Sequence, residues 1–146
     1  MQQQVLELIY GASITPDDDG FLVTFRDLKN VFSGGKTREE AIFNAVEALD
    51  GVLLEMVAED LNIPLPSDIQ PGEKAISASP EVAAPVILHL LRQESGQTIG
   101  IMAQAMEMKY QTYQRMETYG HYLTLKNLKR AASLMGASVE LRFRKL

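Results

Sequence analysis

The chain has 146 residues, 46% of them hydrophobic and 23% charged, with a net charge of −5 and no cysteine. That composition belongs to a folded protein; it excludes disulfides and thiolate chemistry and, with only His89 and His121 present, a histidine-based metal cluster. No apolar run approaches the ~20 residues that a bilayer span needs, and the amino terminus lacks the basic-then-apolar pattern of an export signal, so a reducing cytoplasm and no membrane partner are expected.

Residues 5–14 alternate so that Leu6, Leu8, Tyr10, Ala12 and Ile14 share one side, and residues 21–26 place Phe21, Val23 and Phe25 on one side. Both patterns predict half-buried strands. The intervening TPDDDG has hairpin-loop chemistry: Pro16 presets φ, short Asp side chains bond nearby amides, and Gly20 tolerates positive φ. A short third strand is expected over Val31–Ser33, turned by Gly34 and Gly35. Thr37 and Glu40 then form a capping box, and Ile42, Ala45, Val46, Leu49, Leu53 and Met56 recur at helical spacing, which predicts a helix over 38–60. Pro64 and Pro66 forbid its continuation. A last short strand is expected over Lys74–Ser77, with a domain boundary near residue 78.

After the boundary the apolar spacing is helical. Ser79 followed by Pro80 reads as an N-cap with proline in the first turn, and Pro85 should bend the helix that follows. Further helices are marked by Ile99, Met102, Ala103 and Met106, by Tyr113 and Met116, and by Leu125, Leu128, Ala132 and Met135. The closing SVELRFR alternates Val139, Leu141 and Phe143, which predicts a strand. A lone strand must pair, either with the chain's own sheet or with a second copy, so these three residues are the candidate dimerisation element.

Charge divides at the same place. Residues 1–78 hold 14 acidic and 5 basic side chains, net −9, whereas residues 79–146 hold 5 and 9, net +4. Such a division suits one half meeting a basic partner and the other a polyanion, although charges clustered by chance on solvated faces give the same totals.

Asp17, Asp18, Asp19, Asp27, Glu39 and Glu40 are the raw material for carboxylate catalysis. A two-metal site needs carboxylates converging from several elements on ions roughly 4 Å apart, and neighbouring aspartates in a loop diverge. The calcium-loop spacing, a nucleophile elbow and a true phosphate loop are all missing, SGGKT included. No catalytic residue, metal or cofactor is expected.

The segment TIGIMAQAMEMKYQTYQRM, residues 98–116, fits a helix-turn-helix. Ala103 supplies the small residue where two helices cross, and Met102, Met106, Met108, Tyr113 and Met116 supply its core. Lys109, Gln111, Thr112, Gln114 and Arg115 are left to face outward; Gln and Arg can bond base edges bidentately, and Lys and Thr suit phosphates. The turn position usually held by glycine is Glu107, which must accept a left-handed conformation or shift the turn. The blander alternative is a plain helical bundle with a methionine core.

These residues carry two family resemblances. QTYQRMETYG with LTLKNLKRAASLMG resembles the Cro/repressor-type (XRE-like) helix-turn-helix, with Leu125, Leu128, Ala131 and Leu134 as the packing helix and one extra residue between Glu117 and Gly120. DDDGFLVTFRDL, TREEAIFNAVEAL and NIPLPS, in that order, resemble the HicB antitoxin family. The implied class is α+β: an N-terminal partial RNase H-like small sheet with one long helix (1–78), then an all-α helix-turn-helix domain (79–146) ending in a short β-strand. The resemblance implies masking of a HicA-type toxin, a small basic ribonuclease that cleaves mRNA, and repression of the protein's own operon through operator DNA, with no catalysis. Phe25, Asp27 and Leu28 are the candidate toxin contacts, and a homodimer or higher assembly is expected because one such module reads too few base pairs. The competing readings are a repressor whose first domain senses a small molecule, and a divergent RNase H-like nuclease dependent on Asp27.

Overall fold

In a computed structural model that describes residues 4–146, the elements run β1 (Ile9–Asp17), β2 (Gly20–Phe25), β3 (Phe32–Gly35), α1 (Arg38–Ala58), β4 (Lys74–Ser77), α2 (Pro80–Ser95), α3 (Ile99–Ala105), α4 (Tyr110–Thr118) and α5 (Leu125–Leu134). The chain forms two compact units, Met1–Ala83 and Ala84–Leu146. The class is α+β, and the four strands of the described residues all lie in the first unit.

The sheet has the order β3-β2-β1-β4 and every pairing is antiparallel. The aspartate run closes the first hairpin: Asp17 pairs with Gly20, and the Asp18 amide donates to the Asp17 carboxylate at 2.8 Å. β3 lies one to two residues later than its apolar pattern predicts and takes in both glycines. The reason is proximity to α1, since a Cβ on Gly35 would stand 2.5 Å from the Ala41 nitrogen. Close backbone approach is what glycine permits.

Thr37 caps α1 by accepting from the Glu40 amide at 3.1 Å. The helix ends at Ala58, where Asp60 turns left-handed (φ 53°) and the Leu61 amide returns to the Met56 carbonyl at 2.8 Å. Its buried residues, Ala41, Ala45, Leu49, Leu53 and Val57, face a core shared with Tyr10, Ala12, Val23 and Phe25. This stripe is rotated from the predicted one: Ile42, Val46 and Met56 are half-buried flanks, and alanines occupy the centre where α1 passes close to β3. The Asn44 amide donates to the Gly34 carbonyl there, at 2.8 Å. At the other end of the unit, the Asp50 carboxylate accepts from both the amide and the hydroxyl of Ser79, at 2.9 and 2.6 Å.

The second unit packs Leu88, Met102, Ala103, Met106, Tyr113, Met116 and Ala131 into one cluster, flanked by Ile99, Met108, Leu123, Leu128 and Met135. Methionine's unbranched chain suits the irregular gaps between such short helices. The closing strand expected over Val139, Leu141 and Phe143 is not formed: residues 137–146 carry no regular structure, and Leu141 and Phe143 are 64% and 90% exposed. A strand needs a hydrogen-bonded neighbour, and the sheet of the described residues does not take this segment in. Among the described residues no helix is long and apolar enough to cross a membrane.

Candidate functional site

α3 and α4 are joined by residues 106–109, and the joint depends on one unusual backbone angle. Glu107 adopts φ 56°, the left-handed conformation that its slot demands. The Glu107 amide bonds the Gln104 carbonyl at 3.1 Å, and the Met108 amide returns to the Ala103 carbonyl at 3.0 Å. Arg130 of α5 donates to the Met106 and Ala105 carbonyls at 3.3 and 3.4 Å, and its guanidinium stands 3.8 Å from the Glu107 carboxylate. A cation at the end of α3 satisfies orphan carbonyls and complements the helix dipole.

α4 presents two contrasting faces. Tyr113, Met116 and Glu117 are buried, while Lys109, Gln111, Gln114 and Arg115 are exposed and Thr112 is half-buried. Of the five polar residues singled out in the sequence, Gln111, Thr112, Gln114 and Arg115 therefore lie on α4 and Lys109 stands at its N-cap, and all but Thr112 are fully exposed. Among the described residues neither Lys109 nor Arg115 forms an ion pair with an acidic neighbour.

The buried face is held by a charged cluster. Glu117, 2% exposed, accepts from the His89 ring nitrogen Nδ1 at 3.1 Å and from Arg92 Nε at 3.0 and 2.8 Å to its two oxygens. Arg92 also donates to the Gln97 carbonyl at 3.2 Å. Burial alone would push the Glu117 carboxyl up; hydrogen bonds from His89 and Arg92, with the Arg92 charge, hold it below the usual glutamate value instead. Burial, then the Glu117 charge, pushes the Tyr113 phenol up. This arrangement fixes the rotation of α4 about its own axis, so that the outward residues keep one direction.

In the first unit a second polar network pins the passage 64–73 to the end of β2. Arg26 forms a two-pronged pair with Glu73 at 2.7 and 2.8 Å and donates to the Ser67 hydroxyl and the Asp68 carbonyl, both at 2.6 Å. Asp27 accepts from the Ser67 amide at 2.8 Å and hydroxyl at 2.9 Å, and these bonds, with the Ser67 amide foremost, hold its carboxyl below the usual aspartate value. The Tyr10 hydroxyl donates to the Pro64 carbonyl at 2.8 Å, and burial, then the Asp27 charge, pushes it up to about 12. Phe25 and Leu28 are buried in the core, and the Asp27 carboxylate is occupied by Ser67. The structure thus gives these three residues packing and loop-holding roles at this end of the sheet. Among the described residues no group of three or more His, Cys, Asp or Glu is placed to hold a metal ion.

The family model for the HicB-like antitoxin of bacterial toxin–antitoxin systems matches residues 9–84, from the start of β1 into α2. The chain belongs to the HicB-like antitoxin family. It is similar to Antitoxin HicB 2 of Photorhabdus laumondii subsp. laumondii, 26% identical over 132 residues that cover 90% of this chain and 94% of that protein. It is also similar to Antitoxin HicB 1 of the same organism, 26% identical over 133 residues covering 90% and 84%. Matches of that length run beyond the first unit into the second. The role that follows for this HicB-like chain is that of an antitoxin, a regulatory protein with a toxin as its partner.

Sequence reasoning missed both polar networks. Glu117 is read there only as part of a helix-turn-helix pattern, and its partners stand 28 and 25 residues away. One signal was available: Glu117 falls on the same helical face as Tyr113, four residues earlier, so a carboxylate was bound to enter the core and required cations there.

Proposed function

We propose that this HicB-like antitoxin binds and neutralises a HicA-type mRNA-cleaving ribonuclease toxin through its acidic first unit, and represses its own operon by binding operator DNA through α4. The observation that carries the DNA half is the exposed row of Lys109, Gln111, Gln114 and Arg115, with Thr112 beside it, on a helix whose opposite face is fixed by the Glu117 cluster. Gln and Arg suit adenine and guanine edges in the major groove, and Lys suits phosphate. The net charge of +4 over residues 79–146 favours approach to DNA.

The toxin half is supported by the outer face of α1, where Glu40, Glu47 and Glu55 are exposed and Phe43 stands among them at 65% exposure. An acidic face with one apolar anchor suits a basic ribonuclease: charge speeds encounter and rejects wrong partners, while the aromatic supplies contact area. Phe25, Asp27 and Leu28 contribute by holding the sheet and the 64–73 passage in place. Val139, Leu141 and Phe143 are the proposed pairing element of a homodimer, which would give two copies of α4 for two half-sites.

The test is native mass spectrometry of the tagged protein purified from its own host at low salt, followed by titration of the DNA upstream of its gene. A small basic protein in fixed stoichiometry, and an affinity for that DNA which Gln111→Ala or Arg115→Ala lowers by about 1–3 kcal/mol without loss of the companion, are expected. Loss of the companion in the same variants would overturn the assignment of the two activities to separate units.

A further inference from the structure

Gly51 sits inside α1, on the side turned away from the sheet, and is exposed. Glycine is the least favourable helix-interior residue apart from proline, because it gives up the most backbone freedom on folding. Gly34 and Gly35 are explained by close approach within the unit: a Cβ on Gly34 would stand 2.7 Å from the Phe21 carbonyl oxygen, and one on Gly35 2.5 Å from the Ala41 nitrogen. At Gly51 a Cβ would meet no heavy atom of the described residues within 4 Å beyond the adjoining helix backbone, and its φ is not left-handed. A helix-interior glycine with neither cause inside the chain points to a neighbour from outside it.

The residues around Gly51 define what that neighbour is. Glu47 and Glu55, four residues before and after, share its exposed stripe with Phe43, while Ala48 and Leu54, three before and after, are half-buried beside it. The missing side chain thus leaves a notch with apolar walls and a carboxylate at each end. α1 has no basic residue after Arg38. A second copy of α1 would oppose glutamate to glutamate across the notch in either direction, which like charge disfavours. A cationic helix would meet opposite charge at both ends, and helices that cross where a side chain is missing can reach the short end of the roughly 8–10 Å range of interaxial distance.

We infer that Gly51 is the crossing point at which a basic helix of the toxin packs against α1, with Lys or Arg side chains on Glu47 and Glu55 and a small or apolar side chain between Ala48 and Leu54. This rests on the reading of the outer face of α1 as the toxin-binding surface. Gly51 is then a specificity-determining residue. The carboxylates attract any cationic partner, whereas the notch selects one whose charges straddle a close contact about 12 Å long, the rise of α1 from Glu47 to Glu55.

Titration calorimetry of the full chain with the HicA-type companion recovered from its host, together with thermal melting and sedimentation of the free chain, tests this. Gly51→Ala is expected to raise the first unit's midpoint by about 4–8 °C, because alanine is the better helix former, and yet to weaken toxin binding about tenfold, as an added methyl does in a close-packed contact. Gly51→Met, also a good helix former, should weaken binding by more than about a hundredfold. Glu47→Gln and Glu55→Gln should each flatten the salt dependence of the affinity. Both Gly51 variants binding like the wild type, while the glutamine variants bind more weakly, overturns the crossing point and leaves the toxin-binding surface standing. Binding that none of the four variants changes, or a host preparation without such a companion, overturns both. A lowered midpoint in Gly51→Ala assigns the glycine to the fold of this chain and overturns the contact; a smaller mass of the free Gly51→Ala chain overturns it in favour of a contact between copies.

Discussion

Glu117→Gln tests whether a buried ionised carboxylate holds α4 in place. The substitution preserves shape but removes the charge that faces Arg92 and His89, and turns one acceptor oxygen into an NH₂ that confronts a donor. Breaking one partner of a buried ion pair costs about 3–5 kcal/mol. Arg92 keeps 14% of its side chain exposed, so the stranded guanidinium recovers some hydration and the cost falls at the lower end, about 3 kcal/mol. For a unit of this size each kcal/mol moves the midpoint by about 4–8 °C, so calorimetry of the full chain should show the second unit's transition lowered by roughly 12–24 °C with the first unit's unchanged. The acid side supplies a further check. Because the folded carboxyl lies below its ordinary value of 4.5, its stabilisation is complete above that value and is lost as pH falls through the lower folded value. The Gln variant should lack that acid-dependent loss. A midpoint change equivalent to under about 1 kcal/mol, within the reach of an ordinary neutral hydrogen bond, would refute the ionised lock.

Three further outcomes follow from the same geometry. Glu107→Gly should raise the stability of the second unit by about 0.5–1 kcal/mol in urea denaturation, since glycine removes the left-handed penalty at φ 56°; the 3.8 Å contact of the 86% exposed Glu107 side chain with Arg130 contributes too little to offset it. Leu53→Ala, at a site with 0% exposure between α1 and the sheet, should cost the first unit about 2–5 kcal/mol, measured the same way. Glu73→Gln should speed proteolytic cleavage within residues 64–73 by releasing Arg26. Hydrogen bonds from Arg26 first and the Gln70 amide second hold Glu73 down to about 2, so the wild-type tether is complete above the usual 4.5 and fades only as pH falls towards 2, whereas the variant shows no such dependence.

What the sequence by itself determined was local. Alternation marked β1 and β2, although β1 runs Ile9–Asp17 where the pattern covers 5–14; the Thr37 hydroxyl announced the start of α1, Asp and Gly marked the first hairpin, and the helix-turn-helix pattern required at Glu107 either a left-handed residue, as found, or a shifted turn. The strand, cap and hairpin signals depend on neighbours within a few residues, where backbone sterics and hydrogen bonding act without knowledge of the rest of the chain. Tertiary structure decided the remainder. β3 moved onto its glycines because α1 needs their backbone to come close, and the buried stripe of α1 settled on Ala41, Ala45, Leu49, Leu53 and Val57 for the same reason. Glu117 became a buried anion, and Arg26 a loop tether 47 residues from Glu73, because charges find partners through space. The alternation of Val139, Leu141 and Phe143 shows the converse limit: periodicity states that a segment can be a strand, but a strand's hydrogen bonds belong to its neighbour, and among the described residues that neighbour is not supplied.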